Sequence, residues 1–259
     1  MAKVRLDSLL AERGLFESRS RAAAAVMAGE VHVASRLASK PSQLVDASAD
    51  IAVAAAPAYV SRGGVKLANA LDALGLSVAD RDALDVGAST GGFTDCLLQR
   101  GASRVIALDV AYGELDYRLR NDARVTVIER TNARSVDSMP FPPSMIVIDV
   151  SFISLRKVLP AVLALAAPEF DCLAMVKPQF EVGRTRVGKG GVVRDPALRR
   201  EAIADVAACG AGLGCTVMGF APSGLPGPAG NLETFVWLAE GTLPGGVEDV
   251  EAALAAVDA

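Results

Sequence analysis

The amino-acid sequence predicts an α/β protein in which a mostly parallel sheet of seven strands follows a smaller α+β unit. Three observations carry that prediction. Seven short runs, at 83–86, 105–108, 125–128, 145–148, 173–176, 216–220 and 234–238, are largely apolar and are separated by helix-forming stretches; strands apolar on both faces are those covered by helices on both sides. Before residue 59 the pattern differs, with two short helical periods and brief strands. A glycine-rich turn then joins the first of the seven runs to a helix start at 85–93. With 259 residues, 51% hydrophobic and 22% charged, the chain has material for a real core, which excludes a disordered protein.

The elements follow in order. Leu6, Leu9 and Leu10 recur at helical spacing and Gly14 follows them, so a helix is expected over 4–13. Ser18 is placed to cap a second helix through the alanine run, which Gly29 stops. Val31 and Val33 alternate with Glu30 and His32, Lys40-Pro41-Ser42 makes a turn, and 50–53 is a further short strand. Residues 54–57 read as a linker. In the larger part, helices are expected at 93–100, 155–167 and 196–210. Residues 246–259 read as an acidic tail, a peripheral helix or a frayed end. The predicted division is therefore 1–58, 59–245 and 246–259.

Composition removes several function classes. Cys96, Cys172, Cys209 and Cys215 form no C-x-x-C pair, and His32 is the only histidine, so neither a metal site nor a serine-histidine-aspartate triad is expected. The apolar run 158–167 is interrupted by Pro160 and is far shorter than the roughly 20 residues of a spanning helix. Ala22 to Ala28 imitates a signal core but lacks bulky apolar residues. A cytoplasmic protein without stable membrane association is expected. The net charge of −4 argues against nucleic acid only until it is located: from Glu240 onward there are five acids and no base, whereas Lys3 to Lys40 holds seven bases and four acids.

Asp85-Val86-Gly87-Ala88-Ser89-Thr90-Gly91-Gly92-Phe93 reads as strand, tight turn and helix start, where glycines let backbone approach a ligand and free amides favour an electron-rich group. The dinucleotide fingerprint G-x-G-x-x-G is not met. Asp109 ends the next strand, where a carboxylate can accept from ribose hydroxyls; the two acids suit S-adenosylmethionine better than NAD. Gly183-Arg184-Thr185-Arg186-Val187-Gly188-Lys189-Gly190 nearly spells a phosphate-binding loop, but Gly190 replaces the magnesium-binding hydroxyl and nucleotide hydrolysis is rejected. Arg184, Arg186, Lys189 and Arg194 instead suit a positive lip for an anionic polymer. Lys66, Asp149, Lys177 and Glu233 are expected at the sheet edge where ligands bind.

Two resemblances sharpen these readings. Arg5-Leu6-Asp7, Ser18-Arg19-Ser20-Arg21, Gly29-Glu30-Val31-His32-Val33, Lys40-Pro41-Ser42 and Asp50-Ile51-Ala52-Val53 resemble the RNA-binding domain named for ribosomal protein S-four, the alpha-L motif, which implies RNA contacts by Arg5, Arg19, Arg21, Arg36 and Lys40. Asp85 through Thr94, Glu129-Arg130-Thr131-Asn132-Ala133-Arg134, Asp149-Val150-Ser151-Phe152-Ile153-Ser154, Val176-Lys177-Pro178-Gln179-Phe180-Glu181 and Leu225-Pro226-Gly227-Pro228-Ala229-Gly230-Asn231 resemble the TlyA family over nearly the whole chain. That resemblance implies a Rossmann-like S-adenosylmethionine-dependent methyltransferase fold and 2'-O-methylation of cytidine in 16S and/or 23S ribosomal RNA.

The family's Lys-Asp-Lys-Glu tetrad carries over onto Lys66, Asp149, Lys177 and Glu233. Lys177 is the expected proton acceptor, Lys66 and Asp149 position and polarise the hydroxyl, and Glu233 orients the lysines. The implied cofactor residues are Asp85, Gly87, Ala88, Ser89, Thr90, Gly91, Gly92, Phe93 and Thr94 toward the methionine end, Asp109 at the ribose, Asn132 at the adenine edge and Asp149 near the methyl. Arg62 joins Arg184, Arg186 and Lys189 as an expected RNA contact, with ribosomal subunits as partners. The rival readings are a membrane-active haemolysin, because such proteins often carry that name, and a non-catalytic RNA-binding assembly factor. Oligomeric state is not fixed by any of these features.

Overall fold

A computed structural model describes residues 3–27, 29–53, 57–241 and 243–257. Most of the expected linker, at 54–56, lies outside the described residues, as do Ala28 and Asp258. The chain divides into two compact units between Ala58 and Tyr59.

In the first unit the order is β1 (Lys3–Arg5), α1 (Leu6–Glu12), α2 (Arg19–Met27), β2 (Val31–Val33), β3 (Arg36–Leu37), β4 (Leu44–Asp46) and β5 (Ile51–Val53). The helix expected over 4–13 starts at Leu6 because Val4 is committed to strand pairing with Val45 and Arg5 keeps extended dihedrals. The expected stops hold. Gly14 and Gly29 take φ of +70° and +78°, and the Ser18 hydroxyl accepts from the Arg21 amide at 3.2 Å. Leu6, Leu10, Ala22, Val26 and Val31 close a small core. β2 and β3 form a hairpin with Val33 opposite Arg36, and both connecting residues, Ala34 and Ser35, take positive φ, the requirement of a type I′ turn.

In the second unit α3 (Arg62–Leu74), β6 (Asp82–Val86), α4 (Gly92–Gln99), β7 (Arg104–Leu108), α5 (Tyr117–Arg120), β8 (Val125–Ile128), β9 (Met145–Ile148), α6 (Leu159–Leu163), β10 (Asp171–Val176), α7 (Pro178–Glu181), α8 (Pro196–Gly212), β11 (Thr216–Pro222), β12 (Thr234–Ala239) and α9 (Val250–Val257) follow one another. All seven expected strands form one sheet of order β11-β12-β10-β9-β6-β7-β8. Six run in the same direction, and β12 runs antiparallel between β10 and β11. The chain proceeds outward from β6 to β8, then returns to β9 on the other side, so the order reverses between β6 and β9. Ligands of open α/β sheets bind at the carboxyl ends flanking that reversal.

Alternation along the strands builds a core on each face. Leu84, Val86, Ile106, Leu108, Ile146 and Ile148 belong to one, and Ala83, Val105, Ala107, Met145 and Val147, with Leu67 and Phe93 of the helices, to the other. The helix expected over 155–167 is shorter and broken. Leu155–Lys157 is a single 3₁₀ turn capped by Ser154, and α6 restarts at Leu159 with Pro160 in its first turn, where a missing N–H does least harm. The acidic segment takes the form of the expected peripheral helix, α9, which buries Leu254 at 2% exposure among the same core residues and belongs to the second unit. At the amino edge of the sheet, Asp171 Oδ2 lies 2.5 Å from Arg81 Nη1 and its Oδ1 accepts from Trp237 Nε1 at 2.6 Å. Among the described residues no helix is long and apolar enough to cross a membrane, and no cluster could hold a metal.

Candidate active site

The glycine turn sits at the carboxyl end of β6. Gly87 takes φ of +86°, and a Cβ there would collide with the Asp149 carbonyl arriving from β9. Gly91 takes φ of +94° as the N-cap of α4, and a Cβ would strike the Leu119 side chain. The two glycines therefore let the turn bend tightly between neighbouring strands and helices. Beneath it Asp85 is fully buried. Its Oδ2 accepts from the Thr94 amide at 2.9 Å and hydroxyl at 2.7 Å, while Oδ1 has no partner. Burial pushes this carboxyl up to about 7, with the nearby Asp149 charge acting in the same direction.

On the next strand's end, Asp109 reaches back to the turn. Its Oδ2 accepts from the Ser89 amide and its Oδ1 from the Ala111 amide, both at 2.7 Å. Asn132 caps the following 3₁₀ turn through the Arg134 amide. Gly87, Ser89, Asp109, Asn132, Asp149 and Phe152 line a cavity of about 510 Å³. A second cavity of about 360 Å³ is lined by Arg62, Lys66, Thr90, Phe93, Lys177 and Glu233, and shares Gly87, Ser89 and Asp149 with the first. The shared wall is the place where a group held in one cavity meets a group held in the other.

The four tetrad residues come from four parts of the chain and all line the smaller cavity, with Asp149 alone on the shared wall. Lys66 comes from the first turns of α3 rather than from a strand end, and α3, which no sequence motif singles out, carries it to Glu233. Glu233 precedes β12, and because β12 is antiparallel its start lies beside Val176 at the carboxyl edge. The Lys66 ammonium contacts Glu233 Oε2, with the carboxylate only 1% exposed. Lys177, following β10, places Nζ 2.5 Å from Asp149 Oδ1 and donates to the Ser151 hydroxyl at 2.9 Å. No hydrogen bond is aligned on Asp149 Oδ1, so that contact is electrostatic and the Lys177 orientation comes from Ser151.

Among the expected cofactor residues, Gly87, Ala88, Ser89, Thr90, Gly92, Phe93, Asp109, Asn132 and Asp149 line one or other cavity. Asp85, Gly91 and Thr94 lie behind the turn and shape it instead. Of the expected RNA contacts, Arg5 pairs with the buried Asp7 at 2.7 Å, and Arg19 reaches the same carboxylate at 3.4 Å. Arg21, Arg36 and Lys40 are exposed. In the second unit Arg62 donates to the Pro226 carbonyl at 2.9 Å; Arg184, Arg186, Lys189 and Arg194 of the glycine-rich loop are all exposed, and Arg186 is paired with Glu201 and donates to the Val182 carbonyl. No phosphate-binding helix follows that loop: it makes two 3₁₀ turns, and α8 begins only at Pro196 under an Asp195 cap.

Three residues of the quoted motifs acquire roles that sequence alone did not assign. Phe152 is 91% exposed at φ +64°, its ring 5.2 Å from that of Phe180. Glu181 is buried and accepts from the Ser154 hydroxyl at 2.6 Å and the Leu155 amide at 2.7 Å, tying the Lys177 segment to the Asp149 segment. Asn231 joins two loops, through its side chain to Val193 and through its carbonyl to Gly227. The signal was position within a motif, but nothing in sequence tells a clamp from a contact.

An FtsJ-like methyltransferase model matches residues 59–240 and an S4 domain model residues 4–51. The 16S/23S rRNA (cytidine-2'-O)-methyltransferase TlyA of Mycobacterium tuberculosis is 47% identical over 240 residues, covering 91% of this chain and 90% of that protein. The chain belongs to the TlyA family. Another relative, Hemolysin A of Brachyspira hyodysenteriae, is 44% identical over 216 residues, 80% of this chain and 89% of its own. A solved structure from Streptococcus thermophilus described as a hemolysin superposes with a TM-score of 0.75 at 38% identity, covering 100% of this chain and 96% of its own. This TlyA-family chain is thus a methyltransferase of the FtsJ-like class joined to an S4 domain, as the sequence motifs implied.

Proposed function

We propose that the protein methylates the ribose 2'-hydroxyl of a cytidine in 16S and/or 23S ribosomal RNA, using S-adenosylmethionine, with ribosomal subunits in the cytoplasm as its partners. The observation that carries this reading is that the ion pairs Lys66–Glu233 and Lys177–Asp149 line one cavity, with Asp149 standing on the wall that it shares with the other. The larger cavity suits an adenosyl group: Asp109 and Asn132 stand along it, and backbone lines it where Gly87 admits no Cβ. When bound, the cofactor supplies an electrophilic sulfonium methyl.

The chain's own residues do the rest. A ribose hydroxyl is a weak nucleophile, so its proton must leave as it attacks. Lys177 Nζ, in its neutral form, accepts that proton. Asp149 and Ser151 hold the amine toward the shared wall. Lys66, fixed by Glu233, donates to the hydroxyl oxygen and orients its lone pair, so the reacting atoms meet in one geometry.

The deciding experiment is transfer of labelled methyl to ribosomal RNA and subunits, followed by mapping of the modified ribose. Label at a 2'-O-methylcytidine is expected. Lys177→Ala is expected to lower the single-turnover rate on the order of 10²- to 10⁴-fold while cofactor affinity is kept; a near-wild-type rate in this variant would remove Lys177 from the base role.

A further inference from the structure

The loop formed by residues 183–194 is shaped by Gly183, Gly190 and Gly191, all at φ between +78° and +82°, and no Cβ fits at Gly188 against the Val192 carbonyl. One of its cations is paired with an acid of α8, and another is hydrogen-bonded within the loop while its charge stays exposed. Arg186 serves Glu201, and Arg194 donates to the Lys189 carbonyl at 3.3 Å. Arg184 and Lys189 are exposed, with their charge open to solvent.

This loop is fastened at one buried point. Asn231, 2% exposed, accepts from the Val193 amide through Oδ1 and donates to the Gly191 carbonyl through Nδ2, each at 2.9 Å. The side-chain amide thus pairs with backbone on both sides of Val192 and pins the carbonyl that ends the turn carrying Lys189. The main chain of Asn231 belongs to a different loop. Its carbonyl accepts from the Gly227 amide at 2.8 Å, and Gly227 has no room for a Cβ because the Glu233 carboxylate lies there. Pro226, next to it, holds Arg62. Asn231 is two residues from Glu233, a span of at most about 7 Å along an extended chain.

We propose that Asn231 is a positioning residue that sets the register between the basic loop and the Lys66–Glu233 pair, so that RNA phosphates gripped by Arg184 and Lys189 place the target ribose over the tetrad. A buried amide with donor and acceptor both used fixes a single arrangement, because a shift of either loop leaves polar groups unpaired. This inference rests on the ribose-methylation reading of the site.

The test compares Asn231→Asp, which keeps the acceptor for Val193 but loses the donor to Gly191, with Asn231→Ala, with the surface double variant Arg184→Ala/Lys189→Ala, and with their combination. Ribosomal RNA transcripts and subunits serve as the probe. Asn231→Asp is expected to raise KM for RNA about tenfold with kcat and cofactor affinity held within about twofold. The slope of log affinity for RNA against log salt is expected to fall by about 1.4 to 1.8, the loss of two phosphate contacts, in the double variant and to a similar degree in the Asn231 variants. The combination is expected to be no worse than the double variant, since both remove one interaction.

Independent, multiplying effects overturn the proposal, as does an unchanged salt slope in the double variant, whose exposed substitutions leave folding intact. Loss of cofactor binding and of kcat together with KM in Asn231→Asp overturns it in favour of a purely structural clamp. If the wild-type protein transfers no methyl to RNA, it is the ribose-methylation reading that fails; an active wild type with indifferent variants removes only the role of Asn231.

Discussion

Phe152 keeps its ring in solvent and its backbone in the left-handed region, two costs that no core role repays. It stands three residues after Asp149, beside the shared cavity wall, with Phe180 behind it. A ring so placed offers a face for a base brought to the site, and base stacking contributes about 1–3 kcal/mol. Phe152→Ala is therefore expected to leave thermal stability and cofactor affinity unchanged while weakening use of RNA by about 5- to 150-fold, read as KM in the methyl-transfer assay. Equal KM would show the ring to be idle.

Asp85 makes the opposite trade, with a carboxyl fully buried and half satisfied. Its ordinary value of 3.8 rises to about 7 in the folded protein. Between those values the unfolded chain has lost the proton and the folded chain retains it, so this group favours folding most at low pH. Its contribution falls as pH rises from about 4 to about 7 and then stays flat. Asp85→Asn retains an acceptor for Thr94 and is expected to flatten that part of the profile and to raise the melting temperature at pH 8. Melting curves between pH 4.5 and 8 check it, and an unaltered slope would contradict the assignment. Such roles are invisible in the motif, where Asp85 and Gly87 look equally like ligand contacts; burial separates them.

At the scale of elements, local pattern foretold the strands well and the helix limits less well. The seven strands of the second unit were legible because each is apolar on both faces. α3 keeps a helical period in Leu67, Ala70, Leu71 and Leu74 with Gly75 as its stop, but Arg62-Gly63-Gly64 hides its start, and it packs against α4 and β11. β1 was read as part of α1 because pairing with β4, some forty residues away, overrides a helical period. The β2–β3 hairpin shows the reverse case, in which tertiary context holds a turn its residues disfavour. Ala34 and Ser35 adopt φ of +47° and +63° without the Asn-Gly pair suited to them. The double substitution Ala34→Asn/Ser35→Gly supplies that pair and is expected to stabilise the first unit by about 1 kcal/mol, measured by denaturant unfolding of the full chain. A loss of stability would show that the turn is held for another reason.

At the scale of the molecule, the excess of acid sits apart from the chemistry. The acidic segment after Glu240 runs into α9, which holds Glu251 and docks on β11 and α8 through Leu254. Leu254→Ala is expected to cost about 2–4 kcal/mol of stability while leaving RNA affinity at fixed salt unchanged; calorimetry and a binding titration check the two halves. A negligible change in stability would return this segment to the status of a tail.

The sequence by itself determined the two-part organisation and the mostly parallel sheet, because strand periodicity and glycine spacing are local signals, and its resemblance to the TlyA family pointed to Lys66, Asp149, Lys177 and Glu233. Only the tertiary structure decided how Lys66 meets Glu233, why Asp85 supports the turn from behind, which cation of the glycine-rich loop is paired with an acid, and that Asn231 binds that loop to the one preceding Glu233. Those facts depend on burial and on partners far apart in the chain. Whether a polar group is a contact or a clamp is set by the water and backbone around it, which no stretch of sequence carries alone.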